Sequence, residues 1–162
     1  MRGKSRLNRL QTHKVTPDEV VRHFISNPQA CYTGYASDVA YEWPESVGSS
    51  GLDDIYVRAL GKQLAYIHRI LPGSGADLII QHFAVEAEFV RKGVGKTLAL
   101  DFARQLASRY RTQKIIFSQM HPRPHDPEFF SCLGGTPVPT YITGHVQSPT
   151  PDWHWNIARI AS

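Results

Sequence analysis

The chain has 162 residues, 41% hydrophobic and 20% charged, which suits one folded domain over residues 1–162 and gives no compositional ground for disorder. Its net charge of +4 and pI near 9.2 favour an anionic cofactor and permit a nucleic-acid partner without arguing for one. No apolar run approaches the ~18 residues of a membrane span, and the start MRGKSRLNRL lacks the apolar segment of a secretory signal. Cys31 and Cys132 show neither metal nor redox spacing, so a reduced, cytoplasmic compartment is expected.

In chain order, Ser5 to His13 reads as a first strand or a basic tail; as a transit peptide it is cut short by Asp18 and Glu19. Thr16-Pro17-Asp18-Glu19 starts a helix with Thr as cap, Pro at the first position and Glu at the capping-box position. Val20, Val21, Phe24 and Ile25 form its buried face until Asn27-Pro28 stops it. A second short helix is expected from Tyr35 to Tyr41, then a loop from Glu45 to Asp54. Ile55 to Leu60, a Gly61-Lys62 turn, and Gln63 to Leu71 make a hairpin, and Pro72 to Gly75 turns the chain into a third strand, Leu78 to Val85.

A charged turn, Glu86 to Lys92, then leads into Gly93-Val94-Gly95 and a helix to Tyr110. Val94, Leu98, Phe102 and Leu106 form its apolar stripe, with Thr97, Asp101, Arg104, Gln105 and Ser108 on the wet side. Lys114 to Ser118 is the next strand, joined by a crossover and so parallel to the strand at Leu78. Asp126 to Leu133 is a short helix closed by Gly134-Gly135. Two final strands, near Val138 to Thr143 and Trp153 to Ile160, are joined by the Pro-rich segment Gly144 to Pro151. Trp153 and Trp155 share one strand face at period two and read as core.

Strand, glycine loop and helix N-terminus together make an anion site: unpaired backbone N–H groups, the helix dipole, and glycines that let a phosphate approach. Arg91, Lys92 and Lys96 add positive charge. A Walker loop would need glycine where Val90 stands, and a dinucleotide fingerprint would need one at Leu98, so both fail. A plain glycine-capped turn remains the bland alternative.

The run Val85-Glu86-Ala87-Glu88-Phe89-Val90-Arg91-Lys92-Gly93-Val94-Gly95 resembles the pyrophosphate loop of the GNAT superfamily of acyl-CoA N-acyltransferases. There a valine ending the fourth strand precedes Arg/Gln-x-x-Gly-x-Gly/Ala. Here Val90 takes the Arg/Gln place, with the basic residues displaced to Arg91 and Lys92. The order of elements is also that of the whole GNAT fold. Asp126-Pro127-Glu128-Phe129-Phe130-Ser131-Cys132-Leu133-Gly134-Gly135 is similar to the family helix that carries a tyrosine, with Phe130 in its place and Arg123 where asparagine is frequent.

The resemblance implies an α+β (α/β) fold: a mixed, mostly antiparallel sheet of about six to seven strands, about four flanking helices, and a splayed parallel pair at the centre. It implies acetyl-CoA as cosubstrate, with the pyrophosphate over Arg91, Lys92, Gly93, Val94, Gly95, Lys96 and Thr97. Pantetheine would slot beside Phe83, Ala84 and Val85, where a backbone N–H would polarise the thioester carbonyl. An amine held close would attack directly, without a covalent enzyme intermediate.

Proton handling is less defined. Phe130 cannot serve as the acid, and Tyr141, on a strand beside the cleft, is a candidate substitute. His82 titrates near neutrality, but strict alternation turns it to the other sheet face unless a bulge intervenes, so a structural role competes with a catalytic one. His121 and His125 lack the further spaced ligands of a metal site.

The expected function is N-acetyl transfer to a small-molecule or peptide amine by a monomer or homodimer. The alternatives are a GNAT-fold CoA-binding module that no longer catalyses, favoured by Phe130, and a toxin-like acetyltransferase acting on aminoacyl-tRNA. Tyr35 to Asp54 and Gly144 to Pro151 are the segments expected to select the acceptor, whose identity the sequence leaves open.

Overall fold

The structure, a computed structural model, describes residues 14–29, 38–45, 53–90, 92–143 and 145–160. The strand expected at Ser5 to His13 lies outside them, as do Arg91 and residues 35–37 of the segment expected to form a second helix. Helix α1 (Pro17–Ser26) starts as its sequence dictates: the Thr16 Oγ1 accepts the Glu19 N–H at 3.3 Å, and Val20, Val21 and Phe24 are buried.

Strands β1 (Val39–Tyr41), β2 (Asp53–Ala59), β3 (Lys62–Pro72) and β4 (Asp77–Val85) follow and pair antiparallel in sequence order. Residues Val39–Tyr41 are therefore strand, where a helix end was expected. Their backbone completes the outer edge of β2, and the Tyr41 ring stacks toward Trp43 and Phe102, contacts made only in the assembled core. The β2–β3 turn sits one residue earlier than expected, on Leu60 and Gly61, at φ +48° and +82°. Two positive φ values match the twist of a two-residue hairpin.

After a short 3₁₀ turn, Ala87–Phe89, helix α2 (Val94–Tyr110) crosses to β5 (Lys114–Phe117), which pairs parallel with β4. Val94, Leu98, Phe102 and Leu106 are buried as the periodicity requires. Asp101 is buried as well, against expectation, because its carboxylate accepts the Tyr41 hydroxyl at 2.6 Å and the Gln105 amide at 2.9 Å. Helix α3 (Asp126–Leu133), β6 (Thr136–Val138), β7 (Tyr141–Thr143), β8 (Val146–Gln147) and β9 (Asp152–Asn156) complete the chain.

The main sheet has seven strands in the order β1-β2-β3-β4-β5-β9-β6, and β4–β5 is its parallel pair. The fold is thus the mixed, mostly antiparallel α+β arrangement expected, with three α-helices among the described residues. The single strand expected from Val138 to Thr143 is broken in two. Pro137 and Pro139 have no N–H to donate, so β6 stops on the sheet edge and β7 pairs with β8 in a separate hairpin. The last strand also ends earlier, at Asn156. Trp153 and Trp155 are buried against Phe130 and Phe117 respectively.

Candidate functional site

The site begins where the central pair of strands stops being a pair. β4 and β5 are in register from Asp77 and Lys114 to Ile80 and Phe117. Two more bonds, from the Ser118 N–H to the Ile80 carbonyl and from the Met120 N–H to the Gln81 carbonyl, carry the chain after β5 away from the β4 edge. The next N–H on that edge, Phe83, donates instead to the side-chain Oε1 of Gln119 at 3.2 Å. The two-residue period places the Val85 N–H on the same edge. A side-chain amide therefore stands where a neighbouring strand would supply a carbonyl.

Alternation sends the side chains at this gap to two clefts. Phe83 and Val85 line one of about 490 Å³, together with Val90, Gly93, Gly95, Lys96 and the ring of Phe129. His82 and Ala84 line another of about 350 Å³, with Tyr66, His68 and His121. Successive β4 side chains point to opposite faces of the sheet, and the two clefts meet at Phe83, which lines both. Gln119 and Arg123 line both, and also a third cleft of about 220 Å³ beside Thr140 and Ser148.

The larger cleft is floored by the N-terminus of α2. Gly93 caps it at φ +81° with no side-chain bond to the first N–H groups. A Cβ added at Gly95 would meet Phe129 Cε2 at 3.4 Å and Val85 Cγ2 at 3.7 Å, so any larger side chain fills the floor. Val94 is wholly buried and offers backbone alone, and Phe83 and Ala84 are nearly so. Lys96 is exposed on the cleft wall and Thr97 is half-buried one residue on. Lys92 is exposed, its Nζ 5.8 Å from the centre of the Phe89 ring. The arrangement is chemically suited to an extended ligand with an anionic end at the glycines and a hydrogen-bonding body along the β4 edge.

On the opposite face, alternation turns His82 away from Val85, and into a cleft rather than into solvent. It pairs across the strands with His68 and packs its ring 5.3 Å from that of His121. Burial, then the neighbouring His121, His68, Arg69 and Arg123, hold its proton affinity below that of an ordinary histidine. The buried series on β4 runs Leu78, Ile80, Phe83, a step of three opposite Arg69, whose φ is +55°. That irregularity lets Phe83 turn into the core while His82 stays in the cleft. The His68 Nε2 is buried with no hydrogen-bond partner among the described residues.

One expected position differs from the sequence reading, that of Tyr141, while Phe130 lines the larger cleft. Tyr141 stands on the β7–β8 hairpin with 62% of its surface exposed and lines none of the three clefts, because the break at Pro139 detaches its strand from the main sheet. Phe130 is 1% exposed, its ring stacked 4.6 Å from Phe117 and against Trp153. His121 faces His82, whereas His125 opens on the larger cleft, so the two do not meet at one point.

Gln119 and His68 are what sequence reasoning missed, while His121 was weighed only as a metal ligand and Arg123 only as the residue where asparagine is frequent. Their signal was the register: extending the parallel pairing of Ile80 with Phe117 by two residues sets Gln119 beside His82.

No protein-family model matches the chain, and no curated protein matches it in sequence. Solved structures do match in shape. A Bacillus subtilis acetyltransferase in complex with CoA has a TM-score of 0.54 at 11% identity, covering 73% of this chain and 97% of its own. The ribosomal-protein-S18-alanine N-acetyltransferase of Escherichia coli has 0.52 at 12%, covering 90% and 92%. A protein placed in the GNAT family, from Desulfovibrio desulfuricans, has 0.52 at 12%, covering 67% and 71%. The glycine turn, the parting of β4 from β5 and these likenesses together give the chain the fold of the GNAT-family acetyltransferases.

Proposed function

We propose that the chain is an acetyl-CoA-dependent N-acetyltransferase in which cofactor and acceptor approach the Phe83 edge of β4 from opposite faces of the sheet. The observation that carries this is the parting of β4 and β5, with an N–H of the free edge between two clefts, one floored by glycines at a helix N-terminus. The likeness to acetyltransferases, one of them in complex with CoA, supports it.

Acetyl-CoA supplies an activated acyl carbon and a thiolate leaving group. Gly93, Val94 and Gly95 receive the pyrophosphate on their backbone N–H groups, with Lys92, Lys96 and Thr97 beside it and Arg91 next to them in sequence. Phe83, Ala84 and Val85 offer the pantetheine arm their backbone, once Gln119 releases the Phe83 N–H. That N–H then stabilises charge on the thioester oxygen. His82, neutral at pH 7, takes the proton of the acceptor ammonium, so the amine nitrogen can attack the carbonyl carbon as the C–S bond breaks. With Phe130 buried and Tyr141 outside the clefts, the leaving thiolate takes up, through water, the second proton that the nitrogen sheds on becoming an amide.

The buried Phe130 is also what favours the second reading, a CoA-binding module without turnover. Calorimetric titration with CoA and thiol release from acetyl-CoA over an amine panel separate the two. Binding with amine-dependent release supports the transferase. Binding without release supports the module, and no binding removes both.

A further inference from the structure

The acceptor-side cleft has walls of one electrical character. Tyr66, His68, His82, Gln119, His121 and Arg123 line it, and no Asp or Glu does so among the described residues. Its one permanent charge is the guanidinium of Arg123, which makes no ion pair or hydrogen bond with another described side chain. The nearest acid in sequence, Asp126, is already engaged. Its Oδ2 accepts the Arg123 N–H at 2.8 Å, and its own N–H donates to the Arg123 carbonyl at 3.1 Å.

That reciprocal turn, with Pro122 and Pro124 on either side, fixes the backbone that carries the guanidinium. A cation held on a stiff turn without a counter-ion among the described residues is prepared for an anion, because little ordering remains to be done on binding.

We propose that the acceptor is an amine that also carries an anionic group, the anion against Arg123 and the amine toward His82, and that the cleft disfavours polycations. The inference rests on the transferase reading and adds the class of acceptor to it. A polyamine entering here would lose its water to walls without a carboxylate and meet a like charge at Arg123. A carboxylate or a phosphate would instead take the fork of the guanidinium through two parallel bonds. The Tyr66 and His68 rings, 4.7 Å apart, offer flat surface to the remainder of the molecule.

The test measures thiol release from acetyl-CoA with glycine and phenylalanine, with phosphoethanolamine, with a neutral amine such as ethanolamine, and with spermidine. One anionic set should exceed spermidine and ethanolamine in kcat/KM by about tenfold or more, the weight of one hydrogen-bonded charge. Which set leads distinguishes carboxylate from phosphate. Arg123→Gln should raise KM for that amine by about tenfold, more than it weakens CoA in calorimetry, and Arg123→Lys should restore part of the loss.

Spermidine or ethanolamine preferred, no turnover with any amine, an unchanged KM in Arg123→Gln, or a loss confined to CoA affinity would each overturn the proposal. In those cases CoA still binds and the cofactor half of the reading stands. Failure of the parent protein to bind CoA overturns the transferase reading and this proposal with it.

Discussion

A histidine ring accepts a proton only while neutral, and His82 is kept so by its setting. Partial burial and the cationic company of His121, His68, Arg69 and Arg123 place its proton affinity below the ordinary value of 6.5. The sign follows from linkage: the unfolded chain binds this proton more tightly than the folded one. The folded state is therefore unpenalised above pH 6.5 and loses stability as pH falls from 6.5 through the lowered value. As a base, His82 should sustain turnover to below pH 6.5, with an acid limb at its own depressed titration. His82→Asn should cost about 10²–10⁴ in kcat/KM, remove that limb and leave CoA affinity in place. A pH–rate profile of parent and variant decides it; a limb that persists in the variant assigns the proton elsewhere.

At the scale of elements, the turn from β4 into α2 is where local sequence and site coincide. Glycine is favoured at 93 by a φ of +81°, whereas at 95 a Cβ would rest in ordinary contact with Phe129 and Val85, so only a longer side chain would fill the floor. Gly95→Val should weaken CoA at least about tenfold in calorimetry, about 1.4 kcal/mol, while a thermal melt stays near that of the parent. Binding at the parent affinity would place the pyrophosphate elsewhere. The glycine spacing and helix stripe were legible because backbone geometry and 3.6-residue periodicity act over a few neighbours. The strand at Val39–Tyr41 and the hairpin of Tyr141 were not: the first exists because β2 offers an open edge, the second because the ladder of β6 ends before Pro139.

Across the whole molecule, the β1 edge is tied to α2 by the Tyr41 hydroxyl, which donates to Asp101 at 2.6 Å under the stacked rings of Trp43 and Phe102. Burial, then the Asp101 charge, raise the Tyr41 titration well above its ordinary 10.0, so the bond stays intact through neutral pH. Tyr41→Phe would leave a buried carboxylate with one partner fewer, at a cost of about 1–3 kcal/mol. Urea unfolding with an unchanged m value and a lower midpoint is the expected result. A midpoint equal to the parent's would mean that Gln105 and Arg104 satisfy Asp101 by themselves.

The sequence by itself determined the order of the elements from the strand at Asp53 to the helix at Asp126, the parallel placement of the strands at Leu78 and Lys114, and the glycine turn at the start of α2. Those depend on short-range periodicity, chain reversal and the handedness of crossovers. Tertiary structure alone decided what surrounds His82. The ring of His121, the amide of Gln119 and the guanidinium of Arg123 come from a segment some forty residues away in sequence. They converge on β4 because the strands separate after Ile80 and Phe117. Whether Phe130 lies in the core, whether Tyr141 leaves the sheet and which side chains share a cleft depend on packing between distant elements, which no local pattern encodes.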